Sequence, residues 1–361
     1  MTLPKTTRAA ILVEQNKPLV IDEITLPETL EAGQVLVELF YSGICGSQIG
    51  EIDGAKGPDK FLPHLLGHEG SGKVLAIGPG VRHVAVGDVV VAHWRKGLGI
   101  EANPPKYKWN GKTVNAGWVT TFNHHAVISE NRLTSVPATS DLRVAPLFGC
   151  AVTTGFGVVA NNAKIQIGES VVVAGSGGIG LNILQGAALS AAWPLIAIDL
   201  TDEKLEMARK MGATHVINGK TEDVDARIRA ILGNRPLDVF IDNTGSPEMI
   251  ERGYALTGPQ GRVILVGVPR KGNDVKIYSL PLHFGKVITG SHGGEAQPER
   301  DIPRYMRMYD EGRIVLKELL TDEFSLDDIN EALARMRKGT IRGRCLIRLA
   351  DDAEGASLEV A

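Results

Sequence analysis

The stretch "VVVAGSGGIG" at residues 171–180 decides how the second half of the chain folds. An apolar, β-branched run predicts a buried strand, and glycines at 175, 177 and 180 follow it directly. The first glycine permits a tight turn, the second lets a phosphate approach the backbone, and the third lets the next helix pack closely on the strand. The helix begins with free N–H groups that attract anions. We therefore predict a strand, a phosphate-binding turn and a helix.

Asp199 ends the next strand-like run, "PLIAIDL", and completes the pattern of a dinucleotide site. A carboxylate at this place accepts hydrogen bonds from both ribose hydroxyls and repels a 2′-phosphate. The sequence therefore predicts that the chain binds NAD in preference to NADP. Strand-like and helical patterns keep alternating through "LDVFIDNTG" and "GRVILVGVP", which indicates a doubly wound parallel sheet.

The two ends of the chain have a different texture. Short strand-like runs such as "GQVLVELFYSGI" (33–44) and "VGDVVVAHW" (86–94) predict a compact, mostly β domain in roughly the first 150 residues. Helices and a closing strand are expected after about residue 290, and "DDAEGASLEVA" (351–361) is expected to be a loose tail. A chain of 361 residues is long for one core, so about two domains are expected.

The charge balance and the cysteine content restrict the class of partner. Lys plus Arg total 39 and Asp plus Glu total 42, so the net charge is −3 and predicts no nucleic-acid or membrane partner. The apolar stretch 171–200 is better explained by a buried strand–helix–strand unit than by a membrane span. Only three cysteines occur and the N-terminus shows no signal-peptide pattern, so we expect a cytoplasmic protein that acts on a small molecule.

Cys45 lies among glycines in "YSGICGSQIGEIDG" (41–54), where a thiol gains little from packing. His68 and Glu69 follow in "GHEGSGKV", and Cys150 ends "PLFGC". Two thiolates and an imidazole are what a catalytic zinc ion accepts, with one position left for water or substrate. Taken singly, however, a lone cysteine is usually a small buried hydrophobe. The residues alone therefore suggest a zinc site without establishing one.

"GICGSQ", "GHEGSGKV", "VGDVVV", "VVVAGSGGIG" and "ILVGVP" occur in the order seen in zinc-dependent medium-chain alcohol dehydrogenases, which the chain resembles from about residue 8 to residue 349. The resemblance implies an α/β protein with a GroES-like, mostly-β catalytic domain and a Rossmann domain. The catalytic domain would comprise 1–151 and 290–361, and the NAD-binding domain 152–289. It also implies a homodimer or homotetramer that pairs near "RVILVGVP" and "KVITGS".

The resemblance also implies roles for individual residues. Cys45, His68 and Cys150 would bind one catalytic zinc per chain, and Glu69 would be the neighbouring carboxylate that can approach the metal. Ser47 would take the alcohol proton. The residues expected around NAD are Thr154, Gly175, Gly177, Gly178, Ile179, Gly180, Asp199, Lys204, Val266, Val268 and, at the pyrophosphate, Arg344. Those expected at the substrate pocket are His93, Trp94 and Trp118.

The chain departs from the family pattern in three places. The segment 93–118 contains no cysteine, so no structural zinc is expected, and Pro104–Pro105, aromatic packing and hydrogen bonds must hold it. Gly46 and Gly50 stand where several relatives have a pyrophosphate-binding arginine and a proton-relay histidine, which leaves Glu51 and His64 as candidates for the last proton step. Gln48 replaces an acid that commonly hydrogen-bonds the zinc-ligating histidine.

The leading hypothesis is a zinc- and NAD-dependent dehydrogenase of a secondary alcohol, polyol or sugar-like substrate. A zinc-free enone or quinone reductase on the same scaffold is the second hypothesis, although such enzymes generally lack the ligands and prefer NADPH. A cofactor-bound protein without catalytic activity is the third, because three expected residues are missing.

Overall fold

The structure, a computed structural model, describes residues 3–350, so the expected tail at 351–361 lies outside the described residues. The chain divides into two compact units. The first contains the residues up to Cys150 and those from Gln297 onward, and the second runs from Ala151 to Ala296. The second boundary lies a few residues beyond the 289/290 expected from the sequence. The reason is that Gly294 packs against Gly157, and its carbonyl accepts a hydrogen bond from Asn161 Nδ2 at 2.7 Å.

The strands are numbered in chain order. They are β1 (Thr6–Leu12), β2 (Val20–Thr25), β3 (Gln34–Gly43), β4 (His64–Leu65), β5 (Gly70–Ile77), β6 (Val89–Ala92), β7 (Lys106–Trp109), β8 (Lys112–Asn115), β9 (His125–Ser129), β10 (Leu133–Val136), β11 (Val171–Ala174), β12 (Leu195–Asp199), β13 (His215–Asn218), β14 (Leu237–Asp242), β15 (Thr257–Leu265), β16 (Val287–Gly290), β17 (Leu320–Ser325) and β18 (Arg344–Arg348).

The α-helices are fewer, and most of them lie in the second half of the chain. They are α1 (Gly46–Ile52), α2 (Ala151–Gly157), α3 (Gly178–Leu189), α4 (Asp202–Lys210), α5 (Val224–Leu232), α6 (Pro247–Leu256), α7 (Pro298–Asp310) and α8 (Ile329–Arg337). No helix in the described part of the chain is both long and apolar enough to cross a lipid bilayer.

The first unit is mostly β-structure. A closed barrel has the strand order β1-β2-β7-β8-β4, and a seven-stranded sheet has the order β10-β6-β5-β3-β18-β17, with β9 also paired to β3. Strand β3 is the centre of that sheet, since it pairs with β5, β9 and β18. Strands from both ends of the chain therefore share one sheet, which holds the two sequence segments of this unit together.

The second unit contains a six-stranded parallel sheet of order β13-β12-β11-β14-β15-β16. Its central strand β11 has no exposed residue, because a parallel sheet with helices on both faces buries its strands completely. The strand order reverses between β11 and β14, where ligands bind in doubly wound folds. The expected α/β fold class, with GroES-like and Rossmann parts, is confirmed.

The segment 93–118 contains a β-hairpin that was not predicted from the sequence. Strands β7 and β8 pair through a turn at Asn110 and Gly111, which have φ values of 49° and 74°. Two left-handed residues are what a tight type I′ hairpin turn requires, and an Asn-Gly pair adopts them readily. Tyr107 is fully buried and its hydroxyl accepts a hydrogen bond from Val127 N at 2.9 Å, while Trp109 Nε1 donates to Asp22 at 2.7 Å.

The Glu130 side chain binds two separate backbone segments near that hairpin. Its Oε1 accepts hydrogen bonds from the backbone N–H groups of Arg82 (2.6 Å) and His83 (2.8 Å), and its Oε2 accepts from Ile100 (2.7 Å). The side chain is only 1% exposed. Burial alone would raise the pKa of this carboxyl, but the three N–H donors reverse the effect and hold the pKa below the usual value of 4.5. An ionised carboxylate therefore ties this region together.

We expect Glu130→Gln to lower the free energy of unfolding by about 1–3 kcal/mol, because an amide NH₂ replaces an acceptor and faces buried N–H donors. The exposed Glu28→Gln is the matched control. Since the folded-state pKa of Glu130 is depressed, its stabilisation is present above the ordinary carboxyl pKa and is lost as pH falls through the folded value. Thermal unfolding of both variants from pH 7 to about pH 2 should show their midpoints converging at the acid end, below the folded-state pKa of Glu130. An unchanged midpoint at pH 7 would contradict this account.

Candidate active site

Cys45 is positioned by the end of a central strand. Strand β3 ends at Gly43, and the Ile44 N–H donates to Cys345 O on β18 at 3.1 Å, so the chain leaves the sheet at a fixed point. Cys45 then precedes the first turn of α1 and is only 6% exposed. Its backbone N–H donates to Oε1 of Gln48 at 3.3 Å. The sulfur is therefore held between a strand and a helix.

His68 and Glu69 lie in the turn that enters β5. Gly67 has a φ of +90°, and a Cβ there would overlap the Thr121 hydroxyl, so this position requires glycine. Gly43 and Gly149 are also restricted, because a Cβ on Gly43 would lie 2.7 Å from Glu69 Cδ and one on Gly149 would overlap Ala92 O and come within 3.1 Å of Glu69 Cα. Small residues on both sides therefore let this turn approach the two cysteines.

Cys150 follows a 3₁₀ turn at Ala145–Gly149 and completes a buried group. Its Sγ lies 4.0 Å from Sγ of Cys45, and one ligand atom each of Cys45, His68 and Cys150 lies within 4.8 Å of the others. Two sulfurs bound to a tetrahedral zinc at ~2.3 Å stand about 3.8 Å apart. Within residues 3–350, His68 Nε2 is buried without a hydrogen-bond partner. The spacing, donor set and open imidazole nitrogen thus fit a zinc ion.

The two thiols have opposite protonation tendencies. The Cys150 thiol donates to the Cys45 sulfur, which lowers the pKa of Cys45 well below its usual value although burial opposes this, and His68 lowers it further. The same hydrogen bond raises the pKa of Cys150 well above its usual value, and burial adds to the increase. Burial lowers the pKa of His68, but the nearby charges of Cys45, Glu69 and Glu51 outweigh it and raise the value. The pocket thus favours a thiolate next to a cation.

Gln48 contacts the imidazole, as its position three residues after Cys45 on α1 allows. The Gln48 amide nitrogen lies against Nδ1 of His68. Binding a metal through Nε2 requires Nδ1 to keep its proton, so the amide must present Oε1 to Nδ1, which is a half-turn of its plane. The carbonyl can then orient the ring as the expected acid would, but with less negative charge.

Glu69 is fully buried, and its carboxylate forms an ion pair with Arg344. Burial raises the pKa of Glu69, and Arg344 opposes this increase. Glu69 was expected among the metal ligands, but its Oε1 is committed to Arg344 and its Oε2 has no hydrogen-bond partner among the described residues. Arg344 was expected at the pyrophosphate, yet it is 5% exposed and contacts Glu69. No pattern in the sequence indicates this pairing.

The expected pocket residues differ in their surroundings. His93 is 1% exposed, and its ring nitrogens bond Arg95 O (2.7 Å) and Thr134 Oγ1 (3.0 Å). Burial lowers its pKa to about 4, so it is a neutral core histidine without a free nitrogen, which corrects its assignment to the pocket. Trp94 is half-buried, with the Arg95 guanidinium 5.7 Å from its ring centroid. Trp118 is 43% exposed and lies 5.3 Å from the Arg132 guanidinium.

The glycine turn of the second unit has the three properties expected of it. Gly175 has a φ of +94°, in the left-handed region. A Cβ on Gly180 would overlap the carbonyl oxygen of Gly175, so α3 packs on β11 only if this residue is glycine. A Cβ on Gly177 would have no neighbour within 4 Å, so this position faces open space before the first turn of α3. The protein itself does not require a glycine at 177, whereas a phosphate at the helix N-terminus would.

Asp199 stands at the end of β12, where its Oδ2 accepts a hydrogen bond from Ser176 N at 2.7 Å and its Oδ1 accepts from Leu200 N at 2.7 Å. The carboxylate is therefore fixed beside the glycine turn. The other residues expected around NAD are distributed over this unit. Thr154 is buried in α2, Gly178 and Ile179 open α3, Lys204 is half-buried in α4, Val266 follows β15 with its N–H bonded to Asp242 O, and Val268 is 64% exposed.

Comparison with known proteins agrees with this geometry. The family model described as "Alcohol dehydrogenase GroES-like domain" matches residues 31–138, and the one described as "Zinc-binding dehydrogenase" matches 178–311. S-(hydroxymethyl)glutathione dehydrogenase of Paracoccus denitrificans is 32% identical, covering 92% of this chain and 97% of its own. The chain belongs to the zinc-dependent alcohol dehydrogenase family. It is an enzyme that uses zinc and NAD to oxidise small-molecule alcohols or to reduce the corresponding carbonyl compounds.

Two solved structures are similar over nearly the whole chain. Benzyl alcohol dehydrogenase from Acinetobacter calcoaceticus has a TM-score of 0.86 at 29% identity and covers 96% of this chain and 100% of its own. The 2R,3R-butanediol dehydrogenase from Bacillus subtilis has a TM-score of 0.75 at 26% identity, covering 95% and 99%. These similarities do not support the two alternative hypotheses for this alcohol dehydrogenase, a zinc-free enone or quinone reductase and a cofactor-bound protein without catalytic activity.

The glycines at 177 and 180 should behave differently when each is replaced by alanine. We expect Gly177→Ala to leave the unfolding midpoint unchanged and to weaken NADH binding about tenfold or more, since the added methyl group fills space needed only by the phosphates. Gly180→Ala should lower the unfolding midpoint as well, because its methyl group overlaps Gly175. Fluorescence titration with NADH and thermal unfolding of both variants check this; equal destabilisation by the two would contradict it.

Proposed function

We propose that Cys45, His68 and Cys150 hold the catalytic zinc of this dehydrogenase and that its substrate is a secondary alcohol, polyol or sugar-like molecule. The zinc ligands are supported by the approach of two buried sulfurs to 4.0 Å beside His68 Nε2, which has no hydrogen-bond partner among residues 3–350. The substrate class is supported by the diol named in one similar structure.

When bound, zinc lowers the pKa of a coordinated hydroxyl, and NAD accepts the hydride that the alcohol carbon releases. The protein side chains supply orientation and proton transfer. Gln48 orients the His68 ring through Nδ1, and the exposed hydroxyl of Ser47, in the first turn of α1, takes the proton of the substrate. The Glu69–Arg344 ion pair places a balanced pair of charges behind the ligands.

Asp199 supports a preference for NAD over NADP. Its carboxylate is already anchored to the Ser176 backbone N–H, so it presents a fixed negative charge beside the glycine turn. A ribose with two free hydroxyls can donate hydrogen bonds to it, while a 2′-phosphate would be repelled. Lys204 and the backbone of the turn would complete the contacts with the adenosine end.

Metal analysis together with a cysteine variant tests the proposed zinc ligands. The pure protein should contain one zinc per chain, and Cys45→Ser should lose most of that zinc and at least 100-fold in kcat while NADH binding persists. The matched control is Cys345→Ser, since Cys345 is also buried but lies outside the group of three. A Cys45→Ser protein with full zinc and full turnover would rule out the proposed ligand set. A panel of secondary alcohols, diols, cyclitols and sugars, followed by NADH absorbance, would identify the substrate.

The chain is also proposed to form a cytoplasmic homodimer or homotetramer. Strand β16 is an edge of the six-stranded sheet, and large apolar side chains around it are exposed, with Val287 at 42%, Tyr278 at 71% and Phe284 at 67%. A second copy could extend the sheet across this edge and cover these side chains. Light scattering should give at least twice the 38.7 kDa chain mass, and Tyr278→Lys with Phe284→Lys should reduce it. A wild-type mass of one chain would contradict the proposal.

A further inference from the structure

Oxidation of an alcohol to a carbonyl removes a hydride and a proton, and only the hydride leaves on NAD. A serine hydroxyl that receives the proton must pass another one on, since it cannot remain doubly protonated near neutral pH. The proposed role of Ser47, on which this inference rests, therefore needs a proton acceptor. The Ser47 side chain is exposed, so water can reach it, but water is a weak base. A titratable side chain close to the start of α1 would accept the proton much more readily.

Helix geometry puts one such side chain beside Ser47. The helix α1, Gly46–Ile52, contains a single titratable residue, Glu51, four positions after Ser47. Residues four apart lie one above the other on a helix, with Cβ atoms about 5–6 Å apart, so a glutamate carboxylate can reach a serine hydroxyl. Glu51 also follows Gln48 by three positions, and Gln48 contacts His68. By this spacing Glu51 lies on the same side of α1 as Ser47 and Gln48.

The surroundings of Glu51 leave its carboxylate available. In the part of the chain that the structure describes, the side chain is half-buried and forms no hydrogen bond or ion pair. The backbone carbonyl of Glu51 accepts from Gln15 Nε2 at 3.5 Å, so the helix turn is supported without using the carboxylate.

The neighbouring titratable groups are already engaged. His64 has both ring nitrogens occupied, with Nε2 2.8 Å from Asp59 and Nδ1 2.9 Å from Leu65 O. Asp53, which follows α1, is paired with Arg337 of α8 at 2.8 Å. Gln48 carries no exchangeable acid group. His64 was a candidate for this step from the sequence, and its two hydrogen bonds now count against it.

We propose that Glu51 is the base that takes the proton from the Ser47 hydroxyl and releases it to solvent. In this step the O–H bond of Ser47 breaks as Ser47 receives the substrate proton, and a new O–H bond forms on the Glu51 carboxylate. The carboxylate then loses that proton to water and returns to its starting form. The charged groups near it are Asp53 and Arg337, which stay paired with each other throughout the cycle.

Glu51→Gln tests the assignment, because glutamine keeps the shape of the side chain and cannot carry the proton. At pH 7, kcat/KM for alcohol oxidation should fall about tenfold or more. Raising the concentration of HEPES, a bulky buffer base and poor zinc ligand, should restore activity to the variant but not change the wild type. Glu51→His should regain most of the activity, because imidazole is again a base. Zinc content and NADH affinity should equal those of the wild type.

The exposed Glu318→Gln, outside α1, is the matched control and should behave as wild type in every assay. A Glu51→Gln enzyme with kcat/KM within twofold of this control would overturn the proposal while the zinc dehydrogenase itself stands. Loss of zinc from Glu51→Gln, with full activity in excess zinc, would overturn it too and assign Glu51 to metal binding. A zinc-loaded wild type that oxidises no alcohol would overturn the proposed function together with this step.

Discussion

The approach of two sulfurs to 4.0 Å in a site shielded from water is the constraint on which the first unit depends. Thiolates are costly to bury unless a cation shares their charge. Three chain segments must therefore end at one point: the exit of β3, the turn before β5 and the 3₁₀ turn that precedes Cys150. Gly43 and Gly149 permit this, because any larger residue would strike Glu69 or its surroundings.

The sequence predicted best those features whose causes are local. Each glycine of the turn meets a requirement of the local backbone. Gly175 has a left-handed φ, Gly177 faces open space, and Gly180 packs closely against Gly175, as the pattern predicts. The metal group was named through a resemblance, since its members come together only through sheet pairing. Register between distant strands cannot be derived from one sequence, so the distances within the group could not be predicted.

Other features were missed or misplaced for equally physical reasons. The hairpin at Asn110–Gly111 was not predicted, although an Asn-Gly pair is a local signal for a tight turn between two strands. Glu130 looked like any surface glutamate, since burial and three N–H donors appear only in the folded chain. His93 next to Trp94 suggested a pocket, but neighbouring residues can face opposite ways, and its ring turns to the core.

The hairpin and Glu130 have a consequence for how the fold of this enzyme depends on bound metal. The segment 93–118, which contains no cysteine, is held by the pairing of β7 with β8 and by the Glu130 carboxylate. Removing the catalytic ion would then abolish the activity without unfolding the segment 93–118.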